Sequence, residues 1–187
     1  MVLQEMMSTN AVEKVIKRAK TAAYPPNVPL PQLVINGPWM LTLDDNPQRF
    51  LLHDNMDDSR RVIIFSSPQC LEAVANARDW FMDGNFSIAP PQFSQLYIIR
   101  IPVGESAVTA AFAILQRKCQ STYRMLLESL VNECIASGYG FPQVTKIHCD
   151  FEKATHQAIR QVLPQAAVTG CFYHLSQVGY NSFNCKV

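Results

Sequence analysis

The chain carries almost no net charge. Sixteen lysines and arginines against fifteen aspartates and glutamates leave a formal +1 at pH 7. The basic footprint that announces nucleic-acid binding is therefore missing. That counts against a complete DNA-binding protein, but not against a catalytic core whose grip on DNA lies in other domains. No apolar run approaches the roughly 18–20 residues needed to span a bilayer. The longest, Ala107 to Leu115, is interrupted by Thr109 and suits a buried strand. The N-terminal MVLQEMMSTN lacks the apolar stretch of a secretory signal. Of the six cysteines (Cys70, Cys119, Cys134, Cys149, Cys171 and Cys185) none forms a Cys-x-x-Cys pair. A reduced, intracellular chain is expected rather than a disulfide framework. Internal repeats are absent, as are helix-turn-helix and paired-cysteine finger patterns.

What is present is enough apolar sequence for a core: 48% of 187 residues, the size of one domain with an addition. Residues 1–60 read as that addition, an N-terminal appendage. Asn10 can cap a short helix, Ala11 to Ala23, with Val12, Val15, Ile16 and Ala19 on one face. Its Lys14, Lys17, Arg18 and Lys20 suit either phosphate contact or a solvated face. YPPNVPLPQ, with four prolines, reads as an extended linker. Two β segments follow, near Arg49–His53 and Arg60–Phe65, joined by the turn-forming DNMDDS. Asp54, Asp57 and Asp58 lack the glycine and terminal glutamate of a calcium loop, so they read as turn chemistry.

From Ser67 the pattern turns helical, with Leu71, Val74, Ala75 and Ala77 as apolar positions. Trp80, Phe81 and Met82 begin a strand that alternates through Asn85 to Ile88. Gln95–Val103 and Ala107–Gln116 are two more strands, and the short VGES turn between them implies an antiparallel hairpin. A long helix, Thr122–Ser137, shows a continuous stripe of Tyr123, Leu126, Leu127, Leu130, Val131, Cys134 and Ile135, with Ser121 as N-cap and Gly138 as stop. Val144–Cys149 is a strand ending on Asp150. The next helix carries Phe151, Ala154, Thr155, Ala158, Ile159 and Val162 on one face and stops at Pro164. Ala167–Phe172 is a last strand, closed by Cys171 and His174. The fold class is α/β: a mixed five-stranded sheet of three antiparallel strands, then helix, strand, helix, strand, with flanking helices.

An acid at the carboxyl end of such a strand stands where α/β folds place their sites, although Asp150 also suits capping of the helix behind it. If the Val144 strand lies beside the Trp80 strand, Asp83 and Asp150 come together. Two carboxylates there can share divalent metal for phosphodiester chemistry. Strand alternation sends His148 and Cys149 to opposite faces, with Cys149 in the core; His156 is expected on the exposed face of its helix. Glu128 and Glu133 fall off the apolar stripe of the long helix, which argues against either completing a cellular nuclease site.

WFMDGNF, then YRMLLESL, then HCDFEKATHQAIRQVLP and GCFYHLSQ resemble, in order and spacing, the Mutator-like element (MULE) transposases. The likeness runs from about Arg61 to Gln177 and leaves 178–187 as a divergent tail. It implies a ribonuclease-H-like fold and an Asp, Asp, Glu triad that binds Mg2+ or Mn2+, cleaves DNA at element ends and joins it to a target. Asp83 in MDGNF then matches the first acid and Asp150 in CDFEKA the second. Cys171 and His174 match the family's Cys-x-x-His signature. Other implications are DNA terminal repeats as partner, a nuclear location, no membrane and no small-molecule substrate, with a homo-oligomer left open. The family's third acid, a glutamate well beyond the Cys-x-x-His pair, has no counterpart here. After Asp150 the only acidic residue is Glu152, read as favouring the helix N-terminus through the dipole. The expectation is a catalytic-core fragment, incomplete at its C-terminus and inactive alone. The alternative is a domesticated, non-enzymatic nuclear DNA- or protein-binding module.

Overall fold

The structure is a computed structural model, and it describes residues 28–170. The expected basic helix, the Cys171 and His174 pair and the 178–187 tail lie outside the described residues. Met1–Val34 and Ile35–Val187 are separate compact units. In the first, the described part of the proline-rich stretch contains a 3-10 turn at Leu30–Gln32.

The second unit is built on one mixed sheet. Its strands are β1 (Leu51–Asp54), β2 (Val62–Phe65), β3 (Asp79–Asn85), β4 (Gln95–Val103), β5 (Ser106–Leu115), β6 (Lys146–Cys149) and β7 (Ala167–Gly170), in the spatial order β1-β2-β5-β4-β3-β6-β7. The sheet therefore has seven strands rather than the expected five. The additional two are the hairpin β1–β2, of which only the first strand was expected in the appendage and neither in the sheet. β2 pairs antiparallel with β5 in continuous register, Val62↔Leu115 to Phe65↔Phe112. Its VIIF sequence suits a strand covered on both faces, and Val62, Ile63 and Ile64 are fully buried.

β3, β4 and β5 form an antiparallel meander. β6 pairs parallel with β3, and β7 parallel with β6. Among the described residues the unit has three α-helices: α1 (Pro68–Asn76), α2 (Gln120–Ala136) and α3 (Lys153–Val162). Alternation sends Trp80 and Met82 of β3, Tyr97 and Ile99 of β4 and Ile147 and Cys149 of β6 into one core with Leu71 and Val74 of α1, Leu126, Leu127 and Leu130 of α2 and Ala158 and Ile159 of α3. Each fully buried leucine contributes about 1.5–3 kcal/mol, so the α2 stripe is a principal hold on the sheet. Trp80 fixes β3 against α1: its indole N–H donates to the Val74 carbonyl at 3.1 Å, fully buried.

Several local expectations change. β3 ends at Asn85 instead of running to Ile88, because the Asn85 side chain accepts from the Ser87 backbone N–H at 3.0 Å and turns the chain. Phe86 and Ile88 are consequently exposed. Cys119, not Ser121, is the N-cap of α2, and Ile135 falls off the buried stripe. Gly138, at φ +83°, ends α2 in the left-handed conformation that favours glycine. Phe151 precedes α3 and is exposed. Cys70, Cys119, Cys134 and Cys149 are free thiols. Among the described residues, no helix is long and apolar enough to cross a membrane.

Candidate functional site

β3 and β6 are hydrogen-bonded parallel neighbours, in the register Asp79↔Lys146, Trp80↔Ile147, Phe81↔His148. Two residues further along each segment come Asp83, still within β3, and Asp150, immediately after β6. The strands that lead to the two acids thus run side by side, about 5 Å apart in the hydrogen-bonding direction, and each acid lies two residues beyond the last paired residue, Phe81 or His148. The step just before the acids shows how closely the strands are matched. The rings of Phe81 and His148 stack, with centroids 4.7 Å apart and planes 13° apart. His148 Nε2 also lies 3.4 Å from Asp79 Oδ1.

Asp83 is exposed on the sheet face opposite Met82, and its cross-strand partner on β4 is Ile98. Asp150 is half-buried at the turn into α3. It is not the helix cap. The N-cap is Glu152, whose backbone N–H makes a long 3.4 Å bond to Asp150 Oδ1. The Asp150 carbonyl accepts from His156 Nε2 at 2.7 Å. His156, expected on an exposed face, is partly buried and ties the first turns of α3 back to the acid-bearing turn.

A polar cluster is buried behind this turn. The Gln95 amide donates to the Tyr123 hydroxyl at 2.7 Å, and that hydroxyl donates to Glu152 Oε2, also at 2.7 Å. Gln95 and Tyr123 are each about 1% exposed. The Glu152 carboxylate is therefore engaged with α2 instead of serving as a free charge at the helix end. Burial raises the Tyr123 phenol above its ordinary range, and the bond to Glu152 adds to this, so Tyr123 stays a proton donor. Tyr97 packs on Tyr123, with centroids 5.4 Å apart. Its own phenol is pushed well up, first by burial and then by the charges of Cys149, Asp150 and Tyr123. The Thr155 hydroxyl acts in the opposite direction, although neither hydroxyl reaches hydrogen-bonding geometry.

Gly84, between Asp83 and Asn85, is a requirement of close packing. A Cβ there would come within 2.5 Å of Gln95 Oε1 and 3.3 Å of the Tyr97 ring. The dipeptide Asp83-Gly84 thus joins an outward acid to an inward gap that the cluster fills.

An exposed and a half-buried carboxylate on neighbouring segments, with oxygen donors only, match the preference of a hard divalent cation such as Mg2+. Among the described residues, no third His, Cys, Asp or Glu joins them in a metal-holding group. The glutamates of α2 are engaged elsewhere. Glu133 pairs with Arg49 at 3.0 Å and Glu128 with Arg124 at 3.6 Å.

Reasoning from sequence missed Gln95, Tyr97, Tyr123 and His156. One signal was available: Gln95 occupies an inward position of the strand QLYIIRIPV, whose other inward residues, Tyr97, Ile99 and Ile101, carry apolar or aromatic side chains, and a buried amide demands a partner. Tyr123 was legible as core, but the target of its hydroxyl was not.

No curated protein matches the chain. The family model described as MULE transposase domain matches residues 80–178, from the start of the Asp83 strand to just past the end of the described chain. The span takes in both acids, the helix that holds Glu152 and the strand that supplies Gln95, and it covers just over half of the sequence: the chain belongs to the MULE transposase family.

Proposed function

We propose that residues 61–177 form the ribonuclease-H-like core of a transposase, and that Asp83 and Asp150 are its first two catalytic acids, holding Mg2+ or Mn2+ against DNA. One observation supports this reading: two acids far apart in sequence follow the paired stretch of two parallel neighbouring strands, each two residues beyond it, inside the span of the family match. The three antiparallel strands followed by two helix-linked parallel strands support the ribonuclease-H-like assignment.

When bound, the metal supplies activation of an attacking hydroxyl and stabilisation of the leaving oxygen at a phosphodiester. The chain's own contribution is geometric and electrostatic. Asp83, on a strand anchored by Trp80, offers its carboxylate from a rigid face. Asp150 offers its own from the turn held by His156 and Glu152. Placement on neighbouring backbone segments keeps both oxygen donors on one side of the substrate without an ordering cost at the moment of reaction. Action on element ends in chromosomal DNA corresponds to a nuclear protein.

No acidic residue follows Glu152 in this sequence. With only two protein carboxylates and water completing its shell, the ion is expected to be held weakly by these 187 residues, which should then cleave DNA negligibly. The test is nicking of supercoiled plasmid by the purified chain in Mg2+ or Mn2+, with calorimetric Mn2+ titration in parallel. Mn2+ binding lost in both Asp83→Asn and Asp150→Asn, with little nicking, supports the reading. Robust nicking abolished by Asp150→Asn would show that the two acids suffice. Salt-sensitive DNA binding with neither metal binding nor cleavage would favour the non-enzymatic module.

A further inference from the structure

We propose that Gln95, Tyr123 and Glu152 form a buried brace that sets the spacing of the two acid-bearing segments, with Tyr123 as its central positioning residue. The proposal rests on the metal-binding role of Asp83 and Asp150 put forward above. It adds residues that touch neither metal nor DNA.

The brace runs from behind one acid to behind the other. At one end the Gln95 side-chain oxygen faces Gly84, the residue after Asp83, in a gap too tight for a Cβ. At the other end Glu152 lies two residues beyond Asp150, and its backbone N–H reaches Asp150 Oδ1. Between them stand two 2.7 Å hydrogen bonds. Their direction is determined. A phenol has one proton, so a Tyr123 hydroxyl that accepts from the Gln95 amide donates its own proton to Glu152. Four elements are thereby linked: β3 through the Gly84 gap, β4 through Gln95, α2 through Tyr123 and the α3 cap through Glu152. A hydrogen bond to a carboxylate is among the stronger ones, and loss of this part-buried one leaves an acceptor without its partner.

Such a brace resists the motion that would most damage a two-carboxylate site, a shift of the β6–α3 turn relative to β3. Partners outside the coordination sphere commonly alter metal affinity by about 10- to 100-fold. Phenylalanine at 123 would retain the ring that packs on Tyr97 and lose only the oxygen.

The experiment is calorimetric Mn2+ titration of the full chain, with urea unfolding of each variant as a control. Tyr123→Phe is expected to weaken Mn2+ binding by about tenfold or more in a protein that remains folded. Glu152 separates positioning from charge. Glu152→Gln keeps an oxygen that accepts from Tyr123 and should bind Mn2+ within about twofold of the parent, whereas Glu152→Ala should lose about as much as Tyr123→Phe. Unchanged affinity in Tyr123→Phe or in Glu152→Ala overturns the proposal. So does an equal loss in Glu152→Gln and Glu152→Ala, which would make Glu152 a ligand or a field charge. If Tyr123→Phe does not fold, the Glu152 pair decides alone. If the parent binds no Mn2+, or binds it equally after Asp83→Asn and Asp150→Asn, the metal reading itself fails and the brace falls with it.

Discussion

The two ends of the sheet treat their carboxylates in opposite ways. At the β1–β2 end, Asp54 faces Arg61 in a bidentate pair, Nε to Oδ1 at 2.9 Å and Nη2 to Oδ2 at 2.7 Å, with the Arg61 side chain only 1% and that of Asp54 9% exposed. At the β3–β6 end, Asp83 is exposed and Asp150 sits at the mouth of a turn. The first acid is neutralised by an internal partner. The second two are the acids proposed above to meet an external cation. Charge inside the fold is matched by the chain itself, because an unmatched buried charge costs several kcal/mol. Asp83 and Asp150, the acids proposed above for chemistry, stand nearer solvent than Asp54, with their neighbours constrained instead.

This contrast can be broken by substitution. The largest effect should come from Asp54→Ala, which leaves Arg61 buried without its carboxylate and is expected to lower the unfolding free energy by about 3–5 kcal/mol in urea titration. Asp83→Asn should change it by no more than about 0.5 kcal/mol. Similar losses for the two would erase the distinction between the ends. Next comes Gly84→Ala, where the added methyl must displace the Gln95 amide from its bond to Tyr123. Overpacking of this kind costs about 1–3 kcal/mol, and the same melt should show it. Arg49→Ala breaks a pair between a half-exposed arginine and Glu133, and about 0.2–1 kcal/mol is expected, read by the same titration. It is the control for an ion pair that water already screens.

The smallest effect is a pH dependence. Burial holds the His53 imidazole below its ordinary 6.5, with Glu133 and Asp54 only partly offsetting that. The unfolded chain therefore binds the proton more readily. Stability should be full above pH 6.5 and fall as pH drops through that value toward the depressed pKa of the folded state. His53→Asn should flatten this part of the stability–pH curve, measured by thermal melts from pH 7.5 to 5. An unchanged slope would assign it to other groups.

Much of the frame was legible in the sequence because it rests on local periodicity. The α2 stripe, the β4–β5 hairpin and the strand–helix–strand around Asp150 follow from apolar spacing and turn residues. The misreadings have particular physical causes. The β1–β2 hairpin looked peripheral because its pairing with β5 joins residues some fifty positions apart, as in Val62↔Leu115, a relation no local pattern encodes. Ile88 continued the alternation on paper, but the Asn85 side chain captured Ser87 and ended the strand. Phe151 kept the helical period but lies before the cap.

Sequence by itself determined which residues could carry the chemistry: the acids of MDGNF and CDFEKA, the elements that bear them and the family they resemble. All of these are properties of short segments, where side-chain order dictates periodicity and motif. Only the tertiary structure decided that β3 and β6 are neighbours, that Glu133 belongs to Arg49, and that Gln95, Tyr123 and Glu152 meet behind the acids. Those are long-range choices made by burial, because each polar group taken into the core had to find its partner wherever the packing of apolar faces had placed one.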